Sequence, residues 1–194
     1  MCGIFGFVGI PDKEKLKKIA LLAGERGFNS FGISYYPDRD DYQNSKIVTK
    51  KYPGKISDNL DKILKVKTCI MIGQARLSTS SESTLENSAP FAVEDVAIVH
   101  NGNIYNYKEI AEKYNYKMIS DTDSEVIIPM FLNNADFKKE ITSTFAIAIL
   151  HNKKIIIQNR KLPIYYTRER GCFYFCSKQF PYSTKLTNTK KLYV

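Results

Sequence analysis

Strands gathered toward both ends of the chain, helices between them, and no glycine-rich nucleotide loop predict an α+β fold of packed layers. The shortage of strand–helix alternation argues against a doubly wound parallel sheet. The 194 residues suit one domain spanning 1–194. A 43% hydrophobic and 25% charged composition is that of a globular chain with a sizeable core.

The elements follow from periodicity. Residues 2–9 form an apolar run bounded by Gly9 and read as a buried strand. Leu16, Ile19, Ala20 and Ala23 share one helical face, so 12–23 is predicted helical with Asp12 as its N-cap. Gly32–Tyr36 and Lys46–Lys51 read as short strands. Leu60, Ile63 and Leu64 put a helix over 58–66. Thr68–Ala75 and Val96–His100 are predicted strands that run into polar loops, and 105–114 and 124–132 are predicted helices. The remainder reads as strands over 144–151, 154–158, 164–167 and 172–177, with a tight turn at Asn152-Lys153.

Charge and cysteine usage narrow the function classes. The net charge of +9 comes from lysines spread along the chain. With no finger, basic arm or aromatic-glycine RNA motif, they read as a solvated surface rather than a nucleic-acid face. Such a face can also dock an acidic partner. No apolar run reaches membrane-spanning length, and the opening lacks the basic region of a signal peptide, so a cytoplasmic protein is expected. The four cysteines, Cys2, Cys69, Cys172 and Cys176, form no CxxC pair, so no metal site is expected. Cys172 and Cys176 alternate onto one strand face and read as buried reduced thiols.

Cys2 carries the sharpest chemical signal. Removal of Met1 leaves a cysteine with a thiol and a free α-amine on one carbon. That amine titrates near pH ~8, so it supplies a base beside the nucleophile. Three polar loops add matched chemistry. In Gly73-Gln74-Ala75-Arg76-Leu77-Ser78-Thr79, Arg76 at a strand end suits a bidentate grip on a carboxylate. In His100-Asn101-Gly102-Asn103, an amide side chain stands beside an open backbone N–H, as in an oxyanion hole. In Ser120-Asp121-Thr122-Asp123-Ser124-Glu125, an acid can hold an ammonium. Taken alone, these loops have plainer readings: a surface salt bridge, a turn and a helix cap. Taken together they fit an amino acid with a side-chain amide.

The same residues carry a resemblance. Cys2-Gly3-Ile4-Phe5-Gly6, Arg26-Gly27-Phe28-Asn29-Ser30-Phe31-Gly32, Gly73 to Ser78, Val99 to Asn106 and Thr122-Asp123-Ser124-Glu125 resemble, in order, motifs of the class II glutamine amidotransferase domain. This is the N-terminal-nucleophile glutaminase found in asparagine synthetase, glucosamine-6-phosphate synthase and amidophosphoribosyltransferase. Asn159 to Tyr166 with Phe173 to Ser177 resembles the asparagine-synthetase strand pair, which makes that branch the expected likeness.

The resemblance implies a four-layer αββα sandwich of two antiparallel sheets flanked by helices. It implies Cys2 as nucleophile, Asn101 and Gly102 as oxyanion hole, Arg76 on the substrate carboxylate and Asp123 on its ammonium. Arg26 would position the nucleophile, and Leu77, Thr79, Ser80 and Asn103 would line the pocket. The implied reaction converts L-glutamine to glutamate and ammonia with no cofactor, no nucleic acid and no membrane. The ammonia acceptor is expected to be a synthase on another chain. A glutamine-sensing module and a hydrolase of another amide are the alternatives. The departures are Gln74 in place of His, Asn29 in place of Asp, Asn103 in place of the Glu of the asparagine-synthetase branch, and a shorter segment at Leu162-Pro163.

Overall fold

The computed structural model describes residues 2–37, 45–77, 84–187 and 192–194, the last group without the side chains of Leu192 and Tyr193. The chain opens with β1 (Gly3–Val8) and α1 (Lys13–Gly24), whose N-cap Asp12 accepts from the Lys15 amide. β2 (Ser30–Tyr35), β3 (Val48–Pro53), α2 (Asp61–Leu64) and β4 (Ile70–Arg76) follow. Then come β5 (Phe91–Val93), β6 (Val96–Gly102), α3 (Tyr107–Lys113), α4 (Ile127–Leu132) and α5 (Phe137–Glu140). The last elements are β7 (Phe145–His151), β8 (Lys154–Arg160), β9 (Tyr165–Glu169), β10 (Cys172–Cys176), β11 (Thr184–Lys185) and β12 (Leu192–Tyr193).

The strands form two antiparallel sheets. One runs β11-β9-β10-β1-β4-β2-β3 and the other β12-β8-β7-β6-β5. Strict alternation gives each central strand two apolar faces. Cys172, Tyr174 and Cys176 of β10 pack with Phe5, Phe7 and the buried face of α1. Phe173 and Phe175 turn the other way, onto Ala97, Val99, Ala146 and Ala148 of the second sheet. Phe145, Ile147 and Ile149 of β7 then meet Ile110, Ile127 and Phe137 from the far helices. Helix, sheet, sheet and helix therefore stack around three apolar layers, the αββα arrangement expected.

The differences are local. The region predicted as one helix over 58–66 is a 3-10 turn at Ser57–Asn59 followed by the single turn of α2. The helix expected from Ser124 begins as 3-10 over Asp123–Val126, and Pro129 is tolerated because it lies in the first turn of α4, where no intrahelical N–H bond is lost. β6 and β8 each run two residues beyond expectation, to Gly102 and Arg160. β5, α5, β11 and β12 were not expected, being too short to carry a period. The Asn152-Lys153 turn has φ of 48° and 56°, the two positive values of a tight hairpin turn. Among the described residues, no helix is long and apolar enough to cross a membrane.

Candidate active site

β1 lies at the centre of its sheet, hydrogen-bonded to β10 on one side and β4 on the other, which holds Cys2 rigidly at its leading end. The strand start presses on α1: a Cβ on Gly3 would stand 2.1 Å from the Ala23 carbonyl oxygen. Just past α1, the Arg26 Nε donates to the Cys2 carbonyl at 3.0 Å. The residue expected to position the nucleophile thus holds its backbone directly.

β4 is the neighbour of β1, with Gly3 opposite Ala75. Alternation sends Ile70 and Ile72 into the space between the sheets, and Gln74 and Arg76 continue that face to the strand end. Arg76 is only 5% exposed. Burial lowers its pKa from the usual range, and the negative charge of a Cys2 thiolate nearby opposes this. A guanidinium stays charged in proteins, so Arg76 is a cation held in a dry place beside Cys2.

β6 supplies the facing wall. Asn101 is fully buried, and among the described residues neither polar atom of its side chain has a partner. Leaving such groups unpaired costs roughly 1–3 kcal/mol, so this side chain can still take a hydrogen-bond partner. Gly102 has φ 142°, and a Cβ there would stand 2.8 Å from His100 Nε2 and 2.5 Å from the Thr144 carbonyl. The backbone at that point is thereby kept bare.

Asp123 opens the 3-10 turn before α4 and accepts from the Ile104 amide at 2.5 Å through Oδ2. Its other oxygen takes the Ser124 hydroxyl at 3.4 Å, and Ser124 Oγ lies 2.8 Å from His100 Nδ1. His100 is neutral: burial pushes its pKa down to about 4, against the opposing pull of Asp123. Behind this turn the buried Glu125 carboxylate accepts from the Tyr116 hydroxyl, the Ile119 and Ser120 amides and the Ser120 hydroxyl. Those four bonds fix the loop that presents Asp123.

Two cavities meet at Cys2. The inner one, about 40 Å³, is lined by Cys2, Gln74, Arg76, Leu77, Asn87, Ala89, Phe91, His100, Gly102, Asn103, Thr122, Asp123 and Ser124. The outer one, about 360 Å³, shares Cys2, Leu77, Gly102 and Asn103 and adds Tyr105, Ser143, Thr144 and Leu162. Of the residues expected at the site, Cys2, Arg76, Leu77, Gly102, Asn103 and Asp123 thus share one wall. Asn101 is buried behind it and Arg26 acts from outside it. Thr79 and Ser80 lie outside the described residues. Sequence reasoning missed Asn87, Ala89 and Phe91 as wall residues, because the segment around β5 carries no chemical signature. It also left Gln74, His100 and Ser124 without roles, although all three lay within the quoted motifs.

Two of the other three cysteines are less exposed than Cys2. Cys172 and Cys176 are buried, and burial raises both their pKa values, that of Cys176 to about 12.

Two antiparallel sheets flanked by helices match the fold of N-terminal-nucleophile glutamine amidotransferase domains. The chain belongs to the glutamine amidotransferase domain family, class II, whose family description matches residues 74–181, more than half of the chain. It is 35% identical over 171 residues to a glutamine–fructose-6-phosphate aminotransferase of Fusobacterium nucleatum, a match covering 78% of this chain and 27% of that protein. It is 30% identical over 179 residues to an amidophosphoribosyltransferase of Methanothermobacter thermautotrophicus, covering 78% and 36%. The chain thus spans about a quarter to a third of the length of these relatives.

The fold matches a glutamine phosphoribosylpyrophosphate amidotransferase from B. subtilis with a TM-score of 0.72 at 20% identity, over 95% of this chain and 44% of that one. These relatives correct the expected leaning toward asparagine synthetase. The segment that suggested it, Asn159 to Ser177, contributes Ile164, Phe173 and Phe175 to packing in the space between the sheets.

Proposed function

We propose that this chain hydrolyses L-glutamine to glutamate and ammonia, with Cys2 as nucleophile. The observation that carries the proposal is the convergence of Cys2, Arg76, Gly102 and Asp123 on one cavity. Arg76 takes the substrate α-carboxylate and Asp123 its α-ammonium, which aims the side-chain amide at Cys2. With Met1 removed, the Cys2 α-amine accepts the thiol proton as sulfur adds to the amide carbon. The Asn101 side chain and the Gly102 N–H receive the negative charge that develops on the amide oxygen. The proton passes to the leaving nitrogen, the C–N bond breaks, and ammonia departs from a γ-glutamyl thioester. Water then adds to the thioester, giving its proton to the α-amine, and the thiolate leaves glutamate.

The inner cavity is room for a few waters rather than a glutamine, so substrate entry parts its walls. Ammonia is released beside the outer cavity and is passed to a synthase on a separate chain, the partner we propose. Four cysteines with no disulfide among the described residues suit a reducing compartment such as the cytoplasm.

Ammonia release from glutamine tests the reading. Cys2→Ala should abolish it, while Cys69→Ala, Cys172→Ala and Cys176→Ala retain most of it. Hydrolysis of a simple amide lacking both α-groups as fast as glutamine would replace this reading with that of a general amidase.

A further inference from the structure

β6 is paired with β5 only as far as Ile98, opposite Phe91, so it runs toward the site with one edge uncovered by that strand. There the His100 amide N–H is taken by a side chain from the other sheet: Gln74 Oε1 accepts it at 2.8 Å. Gln74 is 3% exposed and stands on β4 opposite Ile4, two residues from Cys2. His100 immediately precedes Asn101 and Gly102 on β6. One hydrogen bond therefore ties the strand pair that carries the nucleophile to the strand that carries the oxyanion donors.

We propose that Gln74 is a positioning residue that sets the separation between Cys2 and the Asn101–Gly102 pair. The inference rests on the glutaminase reading and deepens it. Because its oxygen is already engaged with the backbone, Gln74 acts through β6 rather than by gripping substrate. It therefore governs turnover more than substrate affinity. A misplacement of about 1 Å at a reacting centre lowers rates on the order of 100-fold.

The test compares the full chain with Gln74→Met, which keeps the length but removes the acceptor, and Gln74→His, whose ring nitrogen restores one. Amide hydrogen exchange at His100 by NMR and steady-state glutamine hydrolysis are measured together. In Q74M the His100 amide should exchange at least ~10-fold faster and kcat should fall ~10- to 100-fold with KM changed less than ~3-fold. Q74H should recover both to within ~3-fold of the parent.

Unchanged exchange in Q74M, or a loss lying in KM with kcat kept, overturns the proposal. Should Q74M not fold, Gln74→Asn, one methylene short of His100, makes the same comparison. If the parent chain releases no ammonia, the glutaminase reading fails, while exchange at His100 still decides whether Gln74 holds β6.

Discussion

Arg76 and Asp123 reach the inner cavity from different layers, one at the end of β4 and one at the 3-10 turn before α4. Each is a charge in a confined site, and removing one partner of such a pair costs on the order of 2–5 kcal/mol. Arg76→Ala should therefore lower kcat/KM for glutamine by roughly 30- to several-thousand-fold. Asp123→Asn is the cleaner acid variant, because its amide oxygen still accepts from Ile104 while the charge is gone. It should lose efficiency on the same scale with an unchanged melting temperature.

His100 makes a separate prediction about pH. Its folded pKa of about 4 lies below the unfolded value near ~6.5, so the unfolded chain binds the proton first. Its effect is absent above pH ~6.5, and stability is lost progressively as pH falls toward about 4, by on the order of 3 kcal/mol. Denaturant unfolding of the parent and of His100→Gln across that range measures it. A slope with pH that is identical in the two proteins contradicts the assignment.

At the scale of elements, the 3-10 turn that carries Asp123 depends on Glu125. This buried carboxylate accepts four hydrogen bonds from Tyr116, Ile119 and Ser120. Glu125→Ala leaves those donors unpaired and should cost roughly 2–4 kcal/mol, with activity falling as Asp123 loses its support. Urea unfolding together with glutamine hydrolysis checks both effects.

The same region marks how far the sequence could be read. Strands β1, β6, β7 and β10 were legible because each alternates two apolar sets, such as Cys172, Tyr174 and Cys176 against Phe173 and Phe175. Helix α1 was legible from one apolar stripe and its Asp12 cap. Glu125 read only as a cap residue, since nothing local says that its partners lie five to nine residues earlier. The link from Gln74 to His100 spans 26 residues between two sheets, and a one-dimensional pattern does not encode that distance. The charged residues of the candidate site were named from their motifs read together and from the resemblance, since each loop taken alone has a plainer reading. The walls at Ala89 and Phe91 were not, because an apolar wall looks like any core.

At the scale of the molecule, two sheets press together over an apolar layer, and polar residues gather where β1 begins near the ends of β4 and β6. That junction is why a cysteine at the head of the chain faces donors from the middle of it. The whole account turns on the Cys2 α-amine acting as base, which a preceding peptide bond abolishes. The decisive measurement compares protein beginning at Cys2 with protein retaining one residue before it, each verified by intact mass, for ammonia released from glutamine. The account predicts turnover in the processed form and at most residual turnover in the blocked form; equal turnover in both would contradict it.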